Sequence, residues 1–466
     1  MTSAIGFRSE RGPILIALML TMGVVAVEAT VLATAVPTIV GDLGDFALFP
    51  WLFSVYLLAQ AVTVPIYAKL SDIFGRKPII LVGIGLFLAG SILCGFAWNM
   101  PALIVFRALQ GLGAGAVMPM TITIAGDIYT IAERAKAQGY LAAVWGISSV
   151  VGPTLGGVFS QLEIWRGIFF INVPLCLLAA WMLIRSFKEE VHKRDHRIDY
   201  AGAALLTVSM SLLILGVLQG GVSWAWDSWQ SIGSFTVGGL LLATFVLVQT
   251  RAAEPVLPLW VFSRRLLLTT TLISLGVGAI LIGLTSYVPV YLEGSIGVPP
   301  LAAGLALAAL TIGWPISGAF AGRFYLRIGF KSTALLGLAV ALVGATVLAV
   351  TASSPSVALV ATACFVIGLG LGVVATPTLI AAQASVEWGD RGVVTGTNQF
   401  ARAIGSAVGA AVFGAIANAA FGSGADVPAA AIISGGSAVF VAVAVVGVAT
   451  LGAVVAMPAT PVPGRP

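Results

Sequence analysis

Between two apolar runs, at 50–68 and 78–97, the chain reads Ala68-Lys69-Leu70-Ser71-Asp72-Ile73-Phe74-Gly75-Arg76-Lys77. Gly75 permits a tight turn, and three cations with one acid in ten residues form a charge cluster of the kind that borders a membrane on its cytoplasmic side. Each flanking run approaches the length, about 20 apolar residues, that a helix needs to cross a bilayer. Taken alone the stretch reads as an ordinary basic loop.

Working outward, the same alternation of apolar run and short connection fills the chain. Apolar runs fall at 13–35, 50–68, 78–97, 101–125, 138–160, 168–184, 200–219, 232–250, 266–290, 302–321, 332–351, 356–380, 394–418 and 429–456, numbered here as spans 1 to 14. The 466 residues are 59% hydrophobic and 9% charged, against about 25% charged in soluble domains. A soluble domain with a single anchor is excluded. Strands of a membrane barrel alternate over about ten residues; these runs are twice as long and unalternating, so the expectation is an all-α integral membrane protein. The first run ends in Ala-Thr-Ala, like a signal-peptidase site, but its length and internal Glu28 argue for retention. Cys94, Cys176 and Cys364 are isolated within apolar runs and read as packing residues, without metal or disulfide spacing.

The net charge of +5 comes from basic residues dispersed over short connections, not gathered into one patch, which argues against nucleic acid as a partner. The connections at 36–49, 98–100, 161–167, 220–231, 291–301, 352–355 and 419–428 hold only Arg166, and Arg107 and Arg402 lie inside spans, so 20 of the 23 Lys and Arg fall on the other side. By the positive-inside rule that side is the cytoplasm, with both termini. The longest basic stretch, 185–197, reads as a solvated linker after span 6.

The two ends of the chain repeat each other at an offset of 254 to 257 residues. Gly111, Gly113 and Gly115 recur as Gly368, Gly370 and Gly372, with Cys364 in the place of Arg107. Gly139 and Gly152 recur as Gly396 and Gly409, with Gly405 for Ser148, and Gly75 and Lys77 recur as Gly329 and Lys331. In a chain with 55 glycines single matches mean little, but these share nearly one register. The expected organisation is two six-helix halves, 1–184 and 266–457, separated by a basic linker at 185–199, an inserted pair at 200–250 and a second linker at 251–265, with a tail at 458–466. Repeats of this kind place a substrate at their interface near the bilayer midplane.

The spacing of residues 68–77 resembles the signature of the major facilitator superfamily, with Ala68 in place of the usual first glycine. The resemblance implies a conformational gate made of Asp72, Gly75, Arg76 and Lys77, in which Asp72 faces the cytoplasmic start of span 13 and Arg76 pairs with an acid at the end of span 4, for which Asp127 is the candidate. Leu103-Ile104-Val105-Phe106-Arg107-Ala108-Leu109-Gln110-Gly111 resembles the family's second motif. An arginine inside the hydrocarbon costs about 2.5–3.5 kcal/mol on insertion scales and needs a partner or a function. Gly139, Ser148, Gly152, Pro153, Gly156 and Gly157 in span 5 resemble the third motif, associated with antiporters in the superfamily; close helix packing by small residues explains the same pattern. Glu28-Ala29-Thr30-Val31 through Pro37, Trp165-Arg166 through Asn172-Val173-Pro174, and Gly392-Val393-Val394-Thr395-Gly396-Thr397-Asn398-Gln399-Phe400 through Arg402 are similar to the fourteen-helix drug:proton antiporter branch. That branch commonly has aspartate at Glu28 and tryptophan at Gly167.

Of 18 acids, Glu28 alone lies well inside a span. It sits about 22 Å from the cytoplasmic end of span 1, while Arg107 lies about 9 Å below the outer end of span 4, matched depths in a core of about 30 Å. Arg402, about 12 Å above the cytoplasmic end of span 13, lies lower. Arg107 is therefore the expected partner of Glu28, with Arg402 the alternative. Tyr56, Gln60, Gln110, Trp145, Tyr287, Tyr291, Trp314, Asn398 and Arg402 are candidate cavity residues; Asn398 and Arg402, four apart, share a face and equally suit a structural hydrogen-bonding role.

A path with few fixed charges and many apolar walls suits lipophilic or cationic compounds better than sugars or phosphates. The expected function is a proton-coupled antiporter exporting such compounds, monomeric, in contact with membrane lipids, with the proton as coupling ion and no cofactor. The alternative within transport is export of a lipid or an endogenous metabolite. An enzyme would need a polar constellation at one depth; the two histidines, His192 and His196, both fall in the basic linker, and no metal, nucleophile or nucleotide-binding motif is present. A receptor has little use for a carboxyl and an arginine at matched depth.

Overall fold

A computed structural model describes residues 6–44, 48, 50–189, 199–220, 224–252, 255–421 and 428–459. His192 and His196 lie outside the described residues, as does most of the linker that holds them. The described chain is helical apart from short connections and one isolated bridge between Gly220 and Trp224. Its helices are α1 (Gly12–Leu43), α2 (Pro50–Phe74), α3 (Arg76–Gly95), α4 (Met100–Ile128), α5 (Ile131–Gln161), α6 (Gly167–Phe170), α7 (Asn172–Ser186), α8 (Tyr200–Gln219), α9 (Trp229–Gln249), α10 (Trp260–Ser263), α11 (Arg265–Ile296), α12 (Pro300–Thr351), α13 (Val357–Ala384), α14 (Arg391–Phe421) and α15 (Ala429–Ala456).

Among the described residues 13 helical stretches are long and apolar enough to cross a membrane, one of them 50 residues long. That stretch is two spans. At Gly329 the backbone leaves the helix, with φ 81° and ψ 166°, so α12 comprises spans 10 and 11 and the total agrees with the fourteen runs. The same geometry recurs at Gly75, φ 94° and ψ 160°, between α2 and α3. Both torsion pairs lie in a region that residues with a Cβ avoid, which is why glycine stands at both positions of the repeat. One expectation needs correcting. Residues 68–74 are the last two turns of α2 and Arg76 opens α3, so Gly75 alone makes the connection that the charges had suggested was a loop.

The first seven helices pack mainly through α1 against α5 and α7, and through α4 against α2 and α3. The last five pack through α11 against α14 and α15, and α12 against α13 and α15. Two seams join these groups. Along the first, α5 crosses the beginning of α12: Tyr325 donates its hydroxyl to the Ile131 carbonyl, and Gly139 lies against Ala319. Along the second, α2 crosses α14, with Ala68 against Gly396 and Val62 and Val64 beside Phe400. Small residues at both crossings let the backbones approach. Both seams start at the end of the bundle that carries the basic connections.

The inserted helices α8 and α9 pack on each other and against the second seam. Leu206, Met210 and Ile214 of α8 share an apolar cluster with Val62, Val64 and Phe400. Asp199 caps α8 at the Gly202 amide and accepts from Gln249 at the end of α9, while Gln249 accepts from the Leu257 amide. The pair is thereby fastened to itself and laid over one seam only.

Candidate functional site

Glu28 and Arg107 meet deep in the first half. Their nearest nitrogen and oxygen are 2.6 Å apart and each side chain is 1% exposed. α1 and α4 bring the two together, and three more helices complete the shell. Asn172 of α7 donates to the second Glu28 oxygen at 2.7 Å, and Arg107 also donates to Gln110 at 2.6 Å and to the Leu52 carbonyl at 3.2 Å. Ser91 of α3 accepts from both Gln110 and Asn172. The Tyr56 ring lies 4.2 Å beneath the guanidinium. Gly111 makes the assembly possible, since a side chain there would strike the Tyr56 backbone and push α4 off α2.

Two charges out of water are costly unless every remaining hydrogen-bonding position is met. Here they nearly all are, with the Asn172 Oδ1 and the Tyr56 hydroxyl left without a partner among the described residues. The arrangement is a carboxylate held by one cation and one amide in an otherwise apolar bundle. Through it five helices, α1, α2, α3, α4 and α7, share one hydrogen-bonded network.

The second cluster closes the basic end of the bundle across the α2–α14 seam. Both Asp72 oxygens accept from the first amides of α14, Gly392 at 3.0 Å and Val393 at 2.8 Å, so the carboxylate sits on a helix N-terminus. Arg76 is fully buried. It pairs with Asp72 at 2.9 Å and Asp127 at 3.1 Å, donates to the Trp388 carbonyl at 2.5 Å and lies 3.7 Å over the Trp388 ring. Arg391 holds the other oxygen of Asp127 at 2.9 Å. Behind the gate, Glu189 accepts from the Arg76 and Lys77 amides, both at 2.8 Å, and the Lys77 ammonium donates to the Ile184 and Phe187 carbonyls. Glu189 thus caps α3 from the far side of the half.

The span 5 motif has its residues on different faces of α5. Gly139 faces Ala319 of the other half, and Gly152 faces Thr30 of α1, whose hydroxyl donates to the Ser148 carbonyl at 3.1 Å. Gly156 is buried, and Gly157 has open space beside it. Pro153 falls within α5, its side chain outside the described set.

The cavity candidates divide. Tyr56 and Gln110 belong to the buried polar shell, not to a cavity wall. Tyr291 is a correction of a different kind: its hydroxyl is donated to the Ala352 carbonyl at 2.5 Å and its ring packs edge-on to Phe440, inside the apolar core of the second half. The tyrosine is amphipathic and satisfies both ends within that core. Asn398 is buried and accepts from Ser274 of α11. Gln60, Trp145, Tyr287, Trp314 and Arg402 remain partly accessible, and Arg402 lies over the Trp314 ring instead of near Glu28. Sequence reading did not assign Ser91, Asn172, Glu189, Trp388 or Arg391 to a site. Asn172 alone carried a signal, as part of the motif that runs from Trp165 to Pro174.

The family model described as Major Facilitator Superfamily matches residues 18–410. The chain is 35% identical over 419 residues to "Multidrug transporter protein MdtP" of Bacillus subtilis (strain 168), covering 90% of this chain and 77% of that one. It is also 35% identical over 405 residues to "Multidrug resistance protein 3" of the same organism, covering 86% and 79%. Among solved structures, the human organic anion transporter MFSD10 aligns with TM-score 0.68 at 15% identity over 96% of this chain and 99% of that one. A bacterial homologue of the iron transporter ferroportin in its outward-facing state aligns with TM-score 0.66 at 12% identity, over 95% and 99%. At such identities the two structures speak for the fold alone.

Proposed function

The chain belongs to the major facilitator superfamily and is a multi-pass membrane transporter, not an enzyme; from that premise we propose that it exports lipophilic, drug-like compounds from the cell by proton-coupled antiport. The likeness to proteins named for multidrug transport supports the substrate class. The buried Glu28–Arg107 pair carries the coupling reading, because a carboxylate with one cation deep in an apolar bundle is a site where a single proton changes the charge balance.

In this reading the contacts of Asp72, Arg76 and Asp127 hold the cytoplasmic end shut, and the described chain is in an outward-facing form. Protonation of Glu28 frees Arg107 and loosens the first half. The cytoplasmic end opens, the proton leaves, and a lipophilic substrate enters as the pair re-forms. Each event biases one two-state protein, and the coupling is as strong as the difference in proton affinity between the two states.

Substrate-induced proton release from purified protein tests this. Glu28→Gln keeps size and polarity but cannot ionise. It should release no proton on substrate addition and should not drive efflux from liposomes under an imposed pH gradient, while still binding neutral substrates. Undiminished release in Glu28→Gln would move the coupling site elsewhere.

A further inference from the structure

Two arginines lie deep within spans, and they have opposite surroundings. Arg107 is ringed by Glu28, Gln110 and the Leu52 carbonyl. Arg402, on α14, has no carboxylate within ion-pairing distance and donates no side-chain hydrogen bond among the described residues. Its Nε is buried and unpartnered, yet the residue as a whole stays partly accessible. Among the described residues the guanidinium is thus a deep cation with no anionic or hydrogen-bonding partner of its own. The polar groups nearest along α14 are engaged elsewhere: Asn398 with Ser274 and the Val394 carbonyl, Thr395 with Gln383, Ser406 with the Gly278 carbonyl.

What Arg402 does have is the Trp314 ring, 5.7 Å from its guanidinium carbon. Trp314 is one turn from Thr311, whose carbonyl lies against Gly146 of α5 at the first seam. The internal repeat maps Trp314 onto Gln60 and Arg402 onto Trp145. All four are partly accessible, and they come from the helices that form the two seams. The position is therefore mid-bundle between the halves, where a transported molecule must pass. A guanidinium offers a planar fork of donors that matches a carboxylate, and an indole face accepts an apolar body.

We propose that Arg402, backed by Trp314, is the recognition site for an anionic head group, so that the protein's substrates include amphiphilic organic acids whose oxyanion rests on the guanidinium and whose apolar body lies along the indole. This rests on the reading of the space between the halves as the export path. It does not depend on Glu28 or on proton coupling. It also shifts the expected selectivity: the Glu28 carboxylate of the first half is already neutralised by Arg107, so the uncompensated charge on the path among the described residues is positive and disfavours cationic compounds.

The test uses full-length protein in phosphatidylcholine nanodiscs at neutral pH and three fluorescent probes with one body: dansylaminoundecanoic acid, its primary amide, and the trimethylammonium analogue. The acid should bind about tenfold more tightly than the amide, as a charge-assisted bond to a desolvated guanidinium requires, and the ammonium probe most weakly. Arg402→Gln should remove the tenfold preference while amide affinity stays within about twofold, and Arg402→Lys should keep part of it, because a point charge attracts without the fork. Equal affinity of the wild-type protein for acid and amide overturns the proposal, a result that needs no variant to fold. So does an equal loss of both probes in Arg402→Gln. Repeating the series with phosphatidylglycerol present separates a lipid phosphate from a substrate: the preference should persist, and its disappearance would assign the arginine to a lipid head group and overturn the proposal. Proton-release and liposome measurements test the export reading separately, so either can fail alone.

Discussion

The two halves share a backbone plan and differ in chemistry. In the first half the fourth span carries Arg107, satisfied by Glu28, Gln110 and a carbonyl, while at the matching position of the second half stands Cys364, buried in an apolar core. The gate repeats the contrast. At Gly75 the turn is surrounded by Asp72, Arg76, Asp127 and Glu189; at Gly329 the corresponding turn has Phe330 stacked on Tyr325 at 4.8 Å. Besides the glycines, the two lysines behave alike, Lys77 and Lys331 each donating to backbone carbonyls near the end of the last helix of their half. The lesson is a division of labour. The first half gathers buried charges into hydrogen-bonded clusters, and the matching positions of the second half are filled by apolar packing.

The largest effect expected from breaking this contrast is at the buried pair. Arg107→Ala leaves Glu28 uncompensated and should cost about 3–5 kcal/mol of stability, whereas Cys364→Ala, at the matching place, should cost about 1 kcal/mol. Thermal unfolding of the two purified variants measures the difference, and comparable losses would mean that the first half is not specialised. Next comes the α5–α12 seam. Gly139→Leu drives a side chain into Ala319 and should cost about 1–3 kcal/mol of the closed contact between the halves, while Gly157→Leu on an open face of α5 should fall within about 0.5 kcal/mol of wild type. Transport assays with expression controls distinguish them.

Smaller again is the gate charge. Asp72→Asn weakens the hold on the α14 amides by about 1 kcal/mol, enough to shift a balanced conformational equilibrium several-fold. Spin labels at the exposed Phe74 and Ile328 should report a larger population with the basic end of the bundle apart, with transport reduced and expression near normal. The smallest is Tyr325→Phe, which removes one hydrogen bond to Ile131 and should change the same distance distribution by about 0.5–1 kcal/mol in population terms. If Tyr325→Phe matched or exceeded Asp72→Asn, the apolar seam and not the charged one would govern closure.

Much of this was legible in the residues. Glu28 and Arg107 could be paired because a charge inside hydrocarbon is rare and its depth follows from helix rise. Gly75 and Gly329 could be matched because a backbone that demands glycine leaves it at both ends of a repeat. Ser91 was not legible as a site residue, and Asn172 only as a member of a motif with no partner: an uncharged polar residue in a span points at a cluster or at lipid according to the helix's rotation about its own axis, which periodicity in an all-apolar run does not reveal. Glu189 was hidden for the opposite reason, lying in a charge-rich stretch that reads as solvated. The helix ends were misjudged at residues 69–74 because charge marks where the membrane stops, not where the helix does.

Glu189 has a practical consequence for anyone who would dissect the chain. Because it grips the first amides of α3 from beyond α7, the leader of the inserted pair is moored to the first half at that residue. An excision that joins the two halves directly should therefore cut downstream of Glu189; a junction placed upstream would unfasten α3 at its root and impair transport for reasons unrelated to the helices removed.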